Sequence, residues 1–132
     1  MYQNKYNGRQ YYPEINIELD NGIYVFSIES ATGKTRLYKA LKSVEQHGDV
    51  VAYTYSDTIT KLDLKTLVNE KTRVIILDRY DMYFNKFADV MEEYKDKAIV
   101  LIDCKVSDKI AFDHTYAEVV MEKNKLTVRP WW

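Results

Sequence analysis

Residues 23–41 read I-Y-V-F-S-I-E-S-A-T-G-K-T-R-L-Y-K-A-L. An apolar, β-branched and aromatic run (Ile23 to Ile28) gives way to small polar residues and then to Gly33-Lys34-Thr35. Leu37, Ala40, Leu41 and Val44 follow at i, i+3, i+4 and i+7, the spacing of one helix face. Strand, short loop, Gly-Lys-Thr and helix form the context in which backbone N–H groups and the positive end of a helix meet an anion. Ser30, Ala31, Thr32, Gly33, Lys34, Thr35 and Arg36 are therefore the expected phosphate-binding residues. Lys34 is expected to reach the terminal phosphates, and the Thr35 hydroxyl to hold Mg²⁺. The full spacing G-x-x-x-x-G-K-[ST] asks for glycine where this chain has Ile28. A β-branched residue resists positive φ, so the loop should leave its strand by an extended or otherwise altered path.

Upstream, Glu14 to Leu19 alternates as E-I-N-I-E-L, which sets Ile15, Ile17 and Leu19 on one strand face. Asp20-Asn21-Gly22 has turn chemistry, so this strand is expected to double back onto Ile23 to Ile28 as a hairpin. Downstream, the helix should run to Gln46 or His47, with Gly48 as its left-handed cap. Val50 to Tyr55, Arg73 to Asp78 and Ala98 to Asp103 read as strands, the last two buried on both faces. Leu64, Leu67 and Val68 suggest a short helix, and Phe84, Phe87, Ala88 and Met91 a longer one over Asp81 to Tyr94. Tyr116 to Met121 and Leu126 to Arg129 form a closing hairpin, and Trp131-Trp132 should pack against the sheet edge. Strands alternating with helices imply a mostly parallel sheet covered on both faces.

With 132 residues the chain suffices for one domain and is short for two. A net charge of −1 gives no electrostatic reason to expect nucleic acid, and no apolar run is long enough to span a bilayer. Cys104 is the only cysteine, which excludes an internal disulfide and suits a reducing, cytoplasmic setting. His47 and His114 have no partner at metal-ligand spacing.

A phosphate loop that uses Mg²⁺ needs a carboxylate at the end of a neighbouring apolar strand. Val74-Ile75-Ile76-Leu77-Asp78 has that form, which makes Asp78 the expected second metal ligand; a turn former or helix cap is the alternative role. With both partial motifs in order, the chain resembles a P-loop NTPase of the ABC, AAA and RecA-like group, in a minimal form. The resemblance implies a single P-loop NTPase-like domain over residues 1–132, an α/β three-layer sandwich. Its mostly parallel five-stranded sheet would run closing strand, loop strand, Ala98 strand, Arg73 strand, Val50 strand, with an N-terminal β-hairpin arm and a C-terminal hairpin.

The same resemblance implies ATP or GTP with Mg²⁺ and an aromatic that stacks on adenine, for which Tyr11 and Tyr12 stand at the matching distance. It also leaves a homodimer open, because members of this group often complete their sites across an interface. Hydrolytic members carry Glu directly after the strand-ending Asp, and this chain has Arg79 there. Asp81 is the remaining candidate for a base, and Asp103-Cys104-Lys105 offers no clear equivalent of the polar sensor on the next strand. The expected activity is accordingly nucleotide binding with weak or partner-dependent hydrolysis, a protein partner supplying the missing groups. The rival is an interaction or inhibitory module that keeps the fold without nucleotide turnover, favoured by Ile28, Glu29, Arg79 and the 12 tyrosines. A small-molecule kinase ranks last, since the stretch from Asp81 to Lys97 has no arginine to grip a transferred phosphate.

Overall fold

The structure, a computed structural model, describes residues 1–4, 14–27, 33–83 and 86–131. In chain order its elements are β1 (Tyr2–Asn4), β2 (Glu14–Ile17), β3 (Gly22–Phe26), α1 (Lys34–Ser43), β4 (Val50–Tyr53), α2 (Tyr55–Ile59) and α3 (Leu64–Leu67). There follow β5 (Val74–Leu77), α4 (Ala88–Tyr94), β6 (Ile99–Ile102), β7 (Thr115–Glu122) and β8 (Lys125–Pro130). Single 3₁₀ turns lie at Glu45–His47, Tyr80–Met82 and Ser107–Lys109.

All the strands belong to one eight-stranded mixed sheet in the order β1-β2-β8-β7-β3-β6-β5-β4. Neighbours from β7 through β3, β6 and β5 to β4 pair in parallel, as do β2 and β8. The β7–β8 and β1–β2 pairs are antiparallel. This corrects the five-stranded sandwich with separate terminal hairpins. The terminal strands are not appendages: β1, β2 and β8 extend the same sheet into a mixed, curled, half-barrel shape.

The expected hairpin between β2 and β3 does not form. Glu14 to Ile17 aligns with Lys125 to Val128 instead, while Gly22 N–H donates to Ala98 O at 3.1 Å and Asn21 Nδ2 to Asp96 O at 3.2 Å. The alternating pattern of β2 specifies which face is buried but is silent on which strand lies beside it. Ile15 and Ile17 are both fully buried, and the β8 position sets them among Leu126, Val128 and the underside of α1.

Period-2 alternation divides the core between two faces. Val50, Ala52, Val74, Ile76, Ile99 and Leu101 pack with Leu37, Ala40 and Leu41 of α1. Val51, Tyr53, Ile75, Leu77, Val100 and Ile102 point the other way, toward Leu64, Val90, Met91 and Phe112. Strands covered on both faces have no use for polar residues, which is why β4, β5 and β6 are apolar throughout. Beyond β3 the second face opens to water, and Glu118 and Arg129 meet across β7 and β8 at 3.1 Å. The free edge of β4 is blunted by a side chain, because Ala52 N–H donates to the Glu45 carboxylate at 2.8 Å.

Helix boundaries differ from the apolar spacing in informative ways. The first helix stops at Ser43, and Gly48 (φ 90°) closes the following 3₁₀ turn. The unexpected α2 is started by Asp57, whose carboxylate accepts from Thr54 N–H at 2.8 Å. The helix expected over Asp81 to Tyr94 contracts to α4; Phe84 and Asn85 lie outside the described residues. Packing explains the contraction. Tyr53 meets the rings of Tyr83 and Phe87 edge-on at 5.6 and 5.3 Å, and Tyr80 meets Tyr83 at 5.2 Å. Tyr83 Oη also donates to Asp78 O at 2.7 Å, so the segment bends back onto the end of β5. Trp131 continues beside β7 through an N–H bond to Tyr116 O at 3.1 Å, and Trp132 lies outside the described residues.

No helix among the described residues is long and apolar enough to cross a membrane.

Candidate functional site

Parallel strands deliver their carboxyl ends to one edge, and the loops that leave that edge converge. The backbone ties them closely: Asp78 N–H donates to Tyr53 O at 2.8 Å, Asp103 N–H to Leu77 O at 2.9 Å and Tyr80 N–H to Asp103 O at 2.8 Å. Thr54, Asp78 and Asp103 are thus the first residues past β4, β5 and β6, side by side.

The start of α1 faces the same edge. Gly33 holds a left-handed φ of 93°, and its carbonyl accepts from Leu37 N–H at 2.7 Å. A Cβ at this position would lie 3.1 Å from Val119 Cγ1 and 3.4 Å from Leu126 Cδ2, so glycine lets the helix start seat directly on β7 and β8. Among the described residues the first turn has neither a side-chain cap nor an acidic residue. The turn itself therefore supplies no carboxylate to its leading N–H groups and positive helix end.

From that turn Lys34 Nζ reaches Asp103 Oδ1 at 3.2 Å, both side chains being about three-quarters buried (21% and 26% exposed). Next to this pair, Thr54 Oγ1 donates to Asp78 Oδ2 at 2.8 Å. Burial holds the Asp78 carboxyl above its ordinary range; the Thr54 bond opposes the rise, and the Asp103 charge adds to it. Arg79 pulls the other way and Asp81 adds slightly. The phenols of Tyr38 and Tyr83 are pushed up by burial first, with Asp78 contributing to both and Asp57 to Tyr38. One helix start and three strand ends thus set Lys34 against Asp103 and Asp103 beside Asp78, while Asp78 in turn holds the Thr54 hydroxyl and acts on the phenols of Tyr38 and Tyr83.

The sequence-based site divides in three. Gly33, Lys34, Thr35 and Arg36 begin α1, with Thr35 and Arg36 exposed, while Asp78 follows β5 and Asp81 sits half-buried in the Tyr80–Met82 turn. Ser30, Ala31, Thr32, Tyr11, Tyr12 and also Ile28 and Glu29 lie outside the described residues. Lys34 and Asp78 are brought to one edge through Asp103, whereas the hydrogen-bond partner of Asp78 is Thr54, not Thr35. Arg79, where hydrolytic P-loop enzymes carry Glu, is exposed with a left-handed φ of 55°.

Two members of the cluster had no assigned role in the sequence. Asp103 ends an apolar run just as Asp78 does, so two acids closing two buried strands were a legible signal of a shared edge. Thr54 carried no comparable mark.

Among the described residues no group of three or more His, Cys, Asp or Glu side chains could hold a metal ion by itself. A cleft of about 450 Å³, lined in part by Thr58, Lys61, Lys65, Lys86 and Phe87, contains none of the expected site residues, and Lys65 there is paired with Asp89. Comparison with protein-family models, curated proteins and solved structures gave no match.

Proposed function

We propose that this chain binds a nucleoside triphosphate, ATP or less readily GTP, together with Mg²⁺, and that its hydrolysis is weak or depends on a protein partner. The observation that carries the reading is a start of α1 that has no acidic residue in its first turn, with Lys34 on the edge where Asp78 follows β5. Helix-start amides and an ammonium group are the donors that polyphosphate needs. Mg²⁺ would be held by the Thr35 hydroxyl and Asp78. Two protein ligands suffice in such a site because phosphate oxygens and water complete an octahedron. A cation there would also favour the ionised form of Asp78, which burial alone disfavours. Weak turnover follows from Arg79, which cannot serve as a base, and leaves Asp81 as the nearby acid able to orient water.

Isothermal titration with ATP and Mg²⁺ tests this reading. Wild type is expected to bind and Lys34→Ala to lose binding, with GTP as the competing arm. Failure of both proteins to bind either nucleotide refutes it. A second reading, a protein-interaction module without nucleotide, is favoured by one observation: Lys34 is already neutralised by Asp103. In that case nucleotide fails to bind while a stable partner co-purifies with the full chain, and Lys34→Ala leaves that partner bound.

A further inference from the structure

The Lys34–Asp103 pair sets a problem for any anion arriving at α1. The two groups meet at 3.2 Å and are mostly covered from water, so salt screens the pair less than an exposed one. Asp103 is also held rigidly: its N–H and carbonyl are both bonded to neighbouring segments, at 2.9 and 2.8 Å. Its carboxylate consequently cannot retreat with the backbone when a phosphate approaches. Asp78 stands close enough for the Asp103 charge to act on it. A polyphosphate that took Lys34 from Asp103 would thus leave two neighbouring carboxylates, which repel each other unless a cation comes with the ligand.

We propose that Asp103 is a built-in counter-ion for Lys34, a positioning residue whose displacement weakens binding of metal-free polyphosphate and makes the site selective for the Mg²⁺ complex. The inference rests on the nucleotide reading and deepens it by assigning ligand selectivity to one side chain. Asp103 acts through Lys34. It holds the ammonium at the sheet edge in the free protein and competes with phosphate for it. Removing the charge should help metal-free ligands most, since those bring no compensating cation.

The test uses the full chain and two probes, ATP with Mg²⁺ and ATP with EDTA, titrated into wild type, Asp103→Asn, Asp103→Glu and Lys34→Ala/Asp103→Asn. Asp103→Asn is expected to bind metal-free ATP about five- to tenfold more tightly, and Mg²⁺-ATP with a smaller gain. Asp103→Glu keeps the charge and should restore the wild-type preference for the metal complex. The double variant should show no gain, because the effect requires Lys34. Thermal melts report whether each variant folds, and mass spectrometry of acetic anhydride labelling reports whether Asp103→Asn frees Lys34. Unchanged or weaker ATP binding by a folded Asp103→Asn, with wild type binding normally, overturns the inference alone, as does a gain that survives Lys34→Ala. If no variant binds ATP although labelling shows Lys34 freed, the nucleotide reading fails and takes the inference with it.

Discussion

Replacing Gly33 with alanine separates two costs that the structure assigns to one residue. The first is conformational, because a φ of 93° is a left-handed value that an L side chain adopts at about 1–2 kcal/mol. The second is steric: the new Cβ would stand 3.1 Å from Val119 Cγ1. Val119 cannot swing away freely, since it is 6% exposed and paired with Val128 across β7 and β8. Crowding in such a packed position adds about 1 kcal/mol or more. Gly33→Ala should therefore destabilise the fold by about 2–4 kcal/mol in total. Gly48 is the internal control. Its φ is 90° and a Cβ there meets nothing within 4 Å, so Gly48→Ala bears only the conformational part, about 1–2 kcal/mol. Urea unfolding followed by far-UV circular dichroism measures both, provided the m-values match. At roughly 3–5 °C per kcal/mol, Gly33→Ala should melt well below Gly48→Ala. Equal losses in the two variants would refute the close seating of α1 on β7 and β8. A Gly33→Ala/Val119→Ala cycle should show favourable coupling if that contact is the cause.

Two further outcomes follow from burial and charge. Because Asp78 titrates above its ordinary range in the folded chain, the native state binds more protons than the unfolded one just above that range, and stability falls as pH rises through the interval. Asp78→Asn cannot ionise; it should be slightly more stable than wild type at pH 7, by less than about 1 kcal/mol given the partial exposure, with the advantage vanishing toward pH 3. Chemical denaturation across pH measures this, and an advantage that grows in acid contradicts the assignment. Leu41→Ala empties a fully buried position beneath α1 and should cost about 2–5 kcal/mol in the same assay, a loss under 1 kcal/mol being inconsistent with a packed helix–sheet layer.

Asp78→Asn also illustrates a conflict between stability and use. The charge whose burial weakens the fold is the one that a metal–nucleotide complex would reward, so the variant is expected to gain stability where it loses ligand.

How far the chain could be read depended on the range of the interactions. Val74 to Leu77 and Ile99 to Ile102 were recognisable as strands because four consecutive apolar residues suit only a position covered on both faces. The start of α1 was recognisable from Gly33 and the spacing of Leu37, Ala40 and Leu41. The helix expected after Asp81 was not well read, since Phe84, Phe87 and Met91 satisfy a helical period while Tyr53, Tyr80 and Tyr83 impose an aromatic cluster across distant segments. Lys34 and Asp78 were singled out by local motif, whereas the Thr54–Asp78 bond and the Lys34–Asp103 pair depend on which strands lie adjacent.

The sequence by itself determined where chain segments turn apolar, which of their faces are buried, and that a glycine and a lysine open a helix in the stretch after a strand. These are short-range matters, decided by sterics and periodicity within about ten residues. Only the tertiary structure decided that Glu14 to Ile17 lies beside Lys125 to Val128, that the sheet has eight strands and mixed direction, and that Asp103 meets Lys34. Alternating patterns are the same whichever neighbour completes the ladder, so the choice falls to the packing of the whole core.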